Sequence, residues 1–187
     1  PENYSLMRYD NCVNLMKAAI ECADKVSTVS PKYAEEIQHY EYSHGLYHIL
    51  YKDSYKLTGI LNGIDYNYYN PSTDTAIFKN FDRRNFASAK AENKRALQRE
   101  YSLPERADVP MVAIISRLAS HKGLDLVREI AYKLVSENDI QLVVLGKGEG
   151  EYESFFYDLE RNNHDKVRSL IMYDRDLSKR IYAAADI

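Results

Sequence analysis

A chain of 187 residues with 45% hydrophobic content is long enough to bury one substantial core or two partial ones. A formal net charge of −3 excludes the broad basic footprint of a nucleic-acid-binding domain, so any cationic site must be local. No apolar run approaches the roughly 20 residues of a membrane-spanning helix, no signal peptide is visible, and the two cysteines, Cys12 and Cys22, read as reduced, partly buried thiols of a cytosolic protein.

The chain opens at Pro1 without a Met and closes at Asp186-Ile187 just as an apolar segment begins, which reads as a piece of a longer protein. Residues 1 to 9 carry no periodic signal. Asp10 is expected to cap a helix running to about Ala23, with Val13, Met16, Ala19, Ile20 and Ala23 on one face. Lys25 to Val29 reads as a short strand. Ser30-Pro31 pairs a side-chain cap with a proline at the first turn, and the helix it starts carries Tyr33, Ala34 and Ile37 and fades by Tyr42. Gly45 punctuates, and Leu46, Ile49 and Leu50 suggest another helical stretch before a strand at Leu57 to Leu61. His44 and His48 are spaced to share a helix face, but two histidines fall short of a metal site. Asn62-Gly63 is a turn dipeptide; because Tyr66 to Pro71 show no alternation, it reads as a strand-ending loop rather than a hairpin. The polar, irregular tract Asn70 to Arg84 suits a crossing between two lobes. Ser88 to Tyr101 reads as a charged helix exposed on most sides, its basic residues forming a solvated face.

From Pro110 the pattern is regular. A strand at Met111–Ile115 leads to a helix at Leu124–Glu137, with Leu124, Val127, Ile130, Ala131 and Leu134 inward. A strand at Ile140–Leu145 leads to a helix at Tyr152–Asn162, and one at Val167–Met172 to a helix at Leu177–Ala185. Three consecutive strand–helix units predict an α/β fold with a Rossmann-like parallel sheet, whose ligands bind beyond the carboxyl ends of the strands. At those ends stand Arg117 with Lys122, then Gly146-Lys147-Gly148, then Tyr173; Asn62 joins them if Leu57–Leu61 is the neighbouring strand.

Arg117 and Lys122 flank a strand-to-helix junction. Cations are slightly unfavourable at a helix start, so basic groups here point to an anion, best a phosphate held by backbone N–H groups and the two side chains. Gly146-Lys147-Gly148 follows the second unit instead of the first strand, so it is no dinucleotide fingerprint, and its expected work is to let the backbone approach a nucleotide.

The chain also resembles the bacterial glycogen synthases and plant starch synthases, through five ordered segments. ADKVSTVSPKYAEEI (23–37) is similar to the family's A-D-x-V-x-T-V-S-P-x-Y-A-x-E-I, and LNGIDYNYYNP (61–71) to L-N-G-(I/V)-D-x-x-x-W-x-P, with Tyr69 in the place of the Trp. AENKRALQ (91–98) resembles A-x-N-K-x-x-L-Q, ISRLASHKGLDL (115–126) S-R-L-x-x-x-K-G-x-D-L, and QLVVLGKGEGEYESFF (141–156) Q-L-V-x-L-G-x-G-x-x-x-Y-E-x-x-F.

The resemblance implies a two-lobed GT-B-type glycosyltransferase, with residues 1–58 ending the N-terminal lobe and residues 59–187 forming the first part of the nucleotide-sugar-binding lobe. It implies transfer of glucose, with retention and without a metal or other cofactor, from ADP-glucose to the non-reducing 4-hydroxyl of an α-1,4-glucan. Arg117 and Lys122 would grip the diphosphate and steady the departing ADP, Asn62 would hydrogen-bond in the donor site, Gly146 and Gly148 would admit the nucleotide, and Tyr173 would stack on adenine. The family's Lys-Thr-Gly-Gly-Leu loop, catalytic His and Glu-x-x-Cys-Gly-Leu motif fall outside this sequence, so the chain alone is expected to be inactive. The implied partners are ADP-glucose and a glucan, with neither nucleic acid nor membrane, in the bacterial cytoplasm or a plant plastid. A retaining transferase using a UDP sugar and a non-catalytic nucleotide-binding or regulatory module remain as alternatives. An open sheet edge in such a piece also predicts self-association.

Overall fold

The computed structural model describes residues 4–187. They form two compact units, one ending at Ile64 and the other beginning at Asp65.

In the first unit a short helix, α1 (Tyr4–Met7), leads into a hairpin of β1 (Arg8–Tyr9) and β2 (Cys12–Val13). Asp10 and Asn11 make its turn with φ of 47° and 59°, the paired positive angles of a type I′ turn. Asp10 therefore caps no helix, contrary to the sequence expectation, because a cap residue must be extended. That part falls to Asn14 (φ −113°, ψ 102°), whose side-chain oxygen accepts the Lys17 N–H at 3.0 Å and opens α2 (Leu15–Cys22). Next come β3 (Val26–Val29) and α3 (Pro31–Glu36), capped by the Ser30 hydroxyl accepting from the Tyr33 N–H at 3.1 Å. Turns follow, then α4 (Tyr47–Lys52), a 3₁₀ turn (Ser54–Lys56) and β4 (Leu57–Ile60). His44 lies in a turn before α4 and His48 within it, so the two do not share a helix face. β4 runs parallel to β3, with Val26 opposite Leu57 and Val29 opposite Ile60. It belongs to this sheet and is not a neighbour of the strands that follow. Ile20, Ile37, Ile49 and Leu50 form the core of the unit, and Cys12 and Cys22, expected to be partly buried, are both exposed.

In the second unit an irregular strap, residues 65–85, precedes α5 (Phe86–Glu100). Then follow β5 (Met111–Ile115), a 3₁₀ turn (Ser120–Lys122), α6 (Leu124–Glu137), β6 (Gln141–Leu145), α7 (Gly150–Asn162), β7 (Val167–Leu170) and α8 (Arg175–Ala184). The strands are parallel in the order β5-β6-β7. Their period-two alternation serves two cores. Leu142 and Val144 pack with Ala131, Val135, Phe156 and Leu159 of α6 and α7. Met111, Val143 and Leu145 pack with Leu97, Leu177 and Ile181 of α5 and α8. Covering both faces is what lets these strands read as continuous apolar runs. On α6 the buried stripe runs through Leu124, Ala131 and Val135, so Ile130, expected inside, is 55% exposed.

α5 departs most from its sequence reading. Instead of a solvated face, it buries Asn93, Lys94 and Gln98. The Lys94 ammonium donates to the Val109 carbonyl and to Asp186 Oδ2 at 2.7 Å, and the same carboxylate accepts the Met111 N–H at 2.8 Å. Lys90 donates to the Tyr182 and Ala183 carbonyls at 3.0 and 3.2 Å, at the negative end of α8. Asn93 Oδ1 accepts the Phe78 and Lys79 N–H groups and fastens the strap to α5. On β7 the buried Arg168 guanidinium donates to the carbonyls of Tyr101, Ser102, His164 and Val167, tying the end of α5 to the sheet. Beyond α8 the chain returns beside β5, where the Ala113 N–H donates to the Ile187 carbonyl at 2.9 Å.

Candidate functional site

Parallel pairing brings the carboxyl ends of β5, β6 and β7 to one edge of the second unit. A cavity of about 510 Å³ opens there, within the roughly 300–1,000 Å³ typical of small-molecule sites. Its lining includes Arg117 after β5, Gly146 and Lys147 after β6, and Tyr173 and Arg175 after β7.

The loops after β5 and β6 are zipped together. The Ser116 N–H donates to the Leu145 carbonyl at 3.2 Å, the Leu118 N–H to the Lys147 carbonyl at 3.1 Å, and the Glu149 N–H to the Leu118 carbonyl at 2.7 Å. A Cβ at Gly146 would stand 2.0 Å from the Ser116 carbonyl oxygen, and one at Gly148 the same 2.0 Å from that of Leu118. These glycines thus serve the approach of one loop's backbone to another's. The sequence reading had assigned them to a nucleotide's approach. Gly146 still lines the cavity, whereas Gly148 lies in the bridge to Leu118.

Arg117 and Lys122 both lie in the connection from β5 to α6, but only Arg117 lines the cavity. Arg117 follows the strand directly and is exposed in the cavity lining. Lys122 closes the 3₁₀ turn, is exposed, and stands outside that lining, with Gly123 at φ +70° between it and α6. Neither cation has a carboxylate partner among the described residues, in contrast to Lys56, Lys94 and Lys179. Two carboxylates of the α7 region bond the loops before them. Glu153 accepts the Gly148 N–H at 2.8 Å and Glu149 accepts the Ser120 N–H at 3.3 Å. Tyr173 is 83% exposed at the cavity, its ring open for stacking. Asn62 lies on the exposed segment after β4 in the first unit, and the cavity is lined by the second unit's residues alone.

The strap supplies another wall, through Tyr68 and Tyr69. Tyr68 lies beneath two cations of α8: Lys179 Nζ is 3.7 Å from the ring centroid and the Arg175 guanidinium carbon 5.3 Å. Lys179 is anchored by Asp74 at 3.0 Å, with side chains only 11% and 7% exposed. Burial opposes the Lys179 charge, but the hydrogen bond and charge of Asp74 outweigh it and hold its pKa above the usual value.

A family model described as the starch synthase catalytic domain matches residues 1–52. A glycogen synthase of Streptococcus sanguinis is 46% identical over 97% of this chain and 38% of its own length. One from Bacillus subtilis is 44% identical over 99% of the chain and 38% of its own length. The catalytic domain of starch synthase IV from Arabidopsis thaliana, solved with ADP and acarbose bound, superposes with a TM-score of 0.88 at 36% identity, covering 98% of this chain and 39% of that one. This chain belongs to the glycogen and starch synthase family. It spans about two fifths of the length of the curated glycogen synthases it matches, and it carries the family's GT-B-type α/β architecture.

Among the described residues no cluster of three or more His, Cys, Asp or Glu is placed to hold a metal, and no helix is long and apolar enough to cross a membrane. Sequence reasoning within this synthase family passed over Tyr68 and Arg175. Arg175 had a visible signal, two positions after Tyr173 at the start of a helix capped by Asp174. Tyr68 had none, because its partners lie more than a hundred residues along the chain.

Proposed function

We propose that this chain is the nucleotide-gripping part of a glucosyltransferase that moves glucose, with retention, from ADP-glucose to the non-reducing 4-hydroxyl of an α-1,4-glucan. The observation that carries the reading is one cavity, at the carboxyl ends of three parallel strands, that joins the unpaired Arg117 and Lys147 to the open ring of Tyr173. A nucleoside diphosphate needs both features: cations for the phosphates and an aromatic face for the base. The starch synthase IV relative, solved with ADP and acarbose, supports both substrates.

Breaking the glucose–phosphate bond places negative charge on the departing diphosphate. Fixed cations that meet this charge as it forms lower the barrier without a metal. Arg117 fills that role from the cavity wall, and Lys122, exposed on the neighbouring turn, is the second cation. Gly146 and Gly148 hold the two loops in register. The bacterial cytoplasm, where a glucan primer and a nucleotide sugar meet, is the compartment that fits this reading.

Titration calorimetry of the chain with ADP and with UDP tests the proposal. Saturable heat with ADP and a weaker response to UDP is the expected result. Absence of heat with either nucleotide overturns the reading, and a preference for UDP moves the protein to the UDP-sugar transferases. Radiolabelled glucose should not be incorporated into glycogen by this chain alone.

A further inference from the structure

Three cations line the cavity, and they are not equivalent. Arg117 and Lys147 come from the zipped loops after β5 and β6. Arg175 comes from the first residue of α8, on the same side as Tyr173 and far along the lining from those loops in connectivity. Its guanidinium has no carboxylate partner among the described residues: of its two neighbours in the chain, Asp174 accepts the Leu177 N–H at 2.9 Å, and Asp176 makes no ion pair with it. What holds Arg175 instead is the face of Tyr68, at 5.3 Å. Tyr68 is in turn fixed by Lys179 at 3.7 Å, and Lys179 by the shielded Asp74. Exposed arginines are ordinarily mobile. Here a chain of four side chains, Asp74–Lys179–Tyr68–Arg175, runs from a buried ion pair to the cavity.

We infer that Arg175 is a specificity-determining residue that engages the base and ribose end of the nucleotide, and that Tyr68 and Lys179 are positioning residues that hold it there. The inference rests on the donor-site reading given above. A guanidinium offers planar N–H donors to ring nitrogens, exocyclic oxygens and ribose hydroxyls, and it stacks on aromatic rings. Tyr68, Tyr173 and Arg175 share the cavity lining, so a base inserted beside Tyr173 meets an aromatic wall and a fork of donors together. The strap, which reads in sequence as mere linker, thereby becomes part of the nucleotide's binding wall.

The test compares ADP with inorganic pyrophosphate, by calorimetry on the full 187-residue chain. Arg175→Ala should weaken ADP about tenfold while pyrophosphate affinity stays within a factor of about two, because only the base and ribose contact is lost. Tyr68→Ala should copy that pattern. Tyr68→Phe, which keeps the ring face, should bind ADP like the parent, a rescue that a general packing defect would not show. Arg117→Ala should weaken both ligands. Unchanged ADP affinity in Arg175→Ala, with Arg117→Ala still impaired, overturns this inference and leaves the donor site standing. Equal loss of pyrophosphate and ADP in Arg175→Ala also overturns it, by making Arg175 a phosphate contact. If Arg117→Ala changes neither ligand, the donor-site reading itself fails. A matched circular-dichroism melt for each variant separates loss of fold from loss of contact.

Discussion

The Cβ position of Gly146 lies 2.0 Å from the carbonyl oxygen of Ser116, a separation no real side chain tolerates. Gly146→Ala must push apart the loops that carry Arg117 and Lys147. We expect a loss of about 1–3 kcal/mol in stability and an ADP affinity at least tenfold weaker. Gly150 is the control: a Cβ there meets nothing within 4 Å, at the first turn of α7. Gly150→Ala should leave the melting temperature unchanged or slightly raised. Thermal unfolding of the pair, followed by circular dichroism, decides the matter.

Arg117 and Lys122 should separate by degree. Charge-assisted hydrogen bonds contribute about 1.5–3 kcal/mol, so Arg117→Ala is expected to weaken ADP by roughly tenfold to a hundredfold. Lys122→Ala, outside the cavity lining, should cost less. Both side chains are exposed, and both variants should fold. Calorimetry that ranks Lys122 above Arg117 would reverse the assignment.

Arg168 is buried against four carbonyls and, among the described residues, has no carboxylate partner. Arg168→Met keeps the stem and strands those acceptors. Each unsatisfied buried group costs about 1–3 kcal/mol, and the costs are not additive. A loss of about 3 kcal/mol should appear as a lower urea midpoint. A midpoint equal to the parent's would mean that water replaces the guanidinium.

Burial pushes the Asp186 carboxyl up, but the Lys94 and Met111 hydrogen bonds and the Lys94 and Lys90 charges outweigh it, leaving its pKa below the ordinary 3.8. A depressed carboxylate pKa adds stability that is present above the unfolded value and is lost as pH falls through the folded one. The stability gap between parent and Asp186→Asn should therefore be widest near neutrality and should close below 3.8. Denaturant titrations at a series of pH values measure it; a gap independent of pH would rule out the linkage.

Among the described residues β7 pairs only with β6, which leaves one sheet edge unpaired, and Val29 and Ile60 stand 54% and 58% exposed on β3 and β4. Unpaired edges and apolar faces attract one another. Light scattering should show a mass that rises with concentration. A strict monomer at every concentration would remove the expectation.

The parallel sheet was legible because its strands are apolar on both faces and its helices amphipathic: Leu142 and Val144 point one way, Val143 and Leu145 the other. Ser30-Pro31 and Asn62-Gly63 carried local signals strong enough to be read alone. Asp10 misled because an aspartate suits both a cap and a left-handed turn, and only the pairing of Tyr9 with Cys12 selects between them. α5 misled for a different reason. Lys94 and Gln98 are charged and polar by type, but Asp186, Val109 and Gln141, distant in sequence, let them go inside. At the site, Arg117 and Tyr173 were visible at strand ends, whereas Tyr68 is defined only by what α8 places above it.

Glu149 and Glu153 take the amide hydrogens of Ser120 and Gly148, on the loops after β5 and β6, and so set two carboxylates beside the head of α7. An anion arriving at this edge of the sheet has to be offset by cationic side chains, of which the cavity lining holds Arg117, Lys147 and Arg175. Donor preference in such a scaffold can drift by single substitutions, one arginine or tyrosine at a time, while the underlying backbone stays as it is.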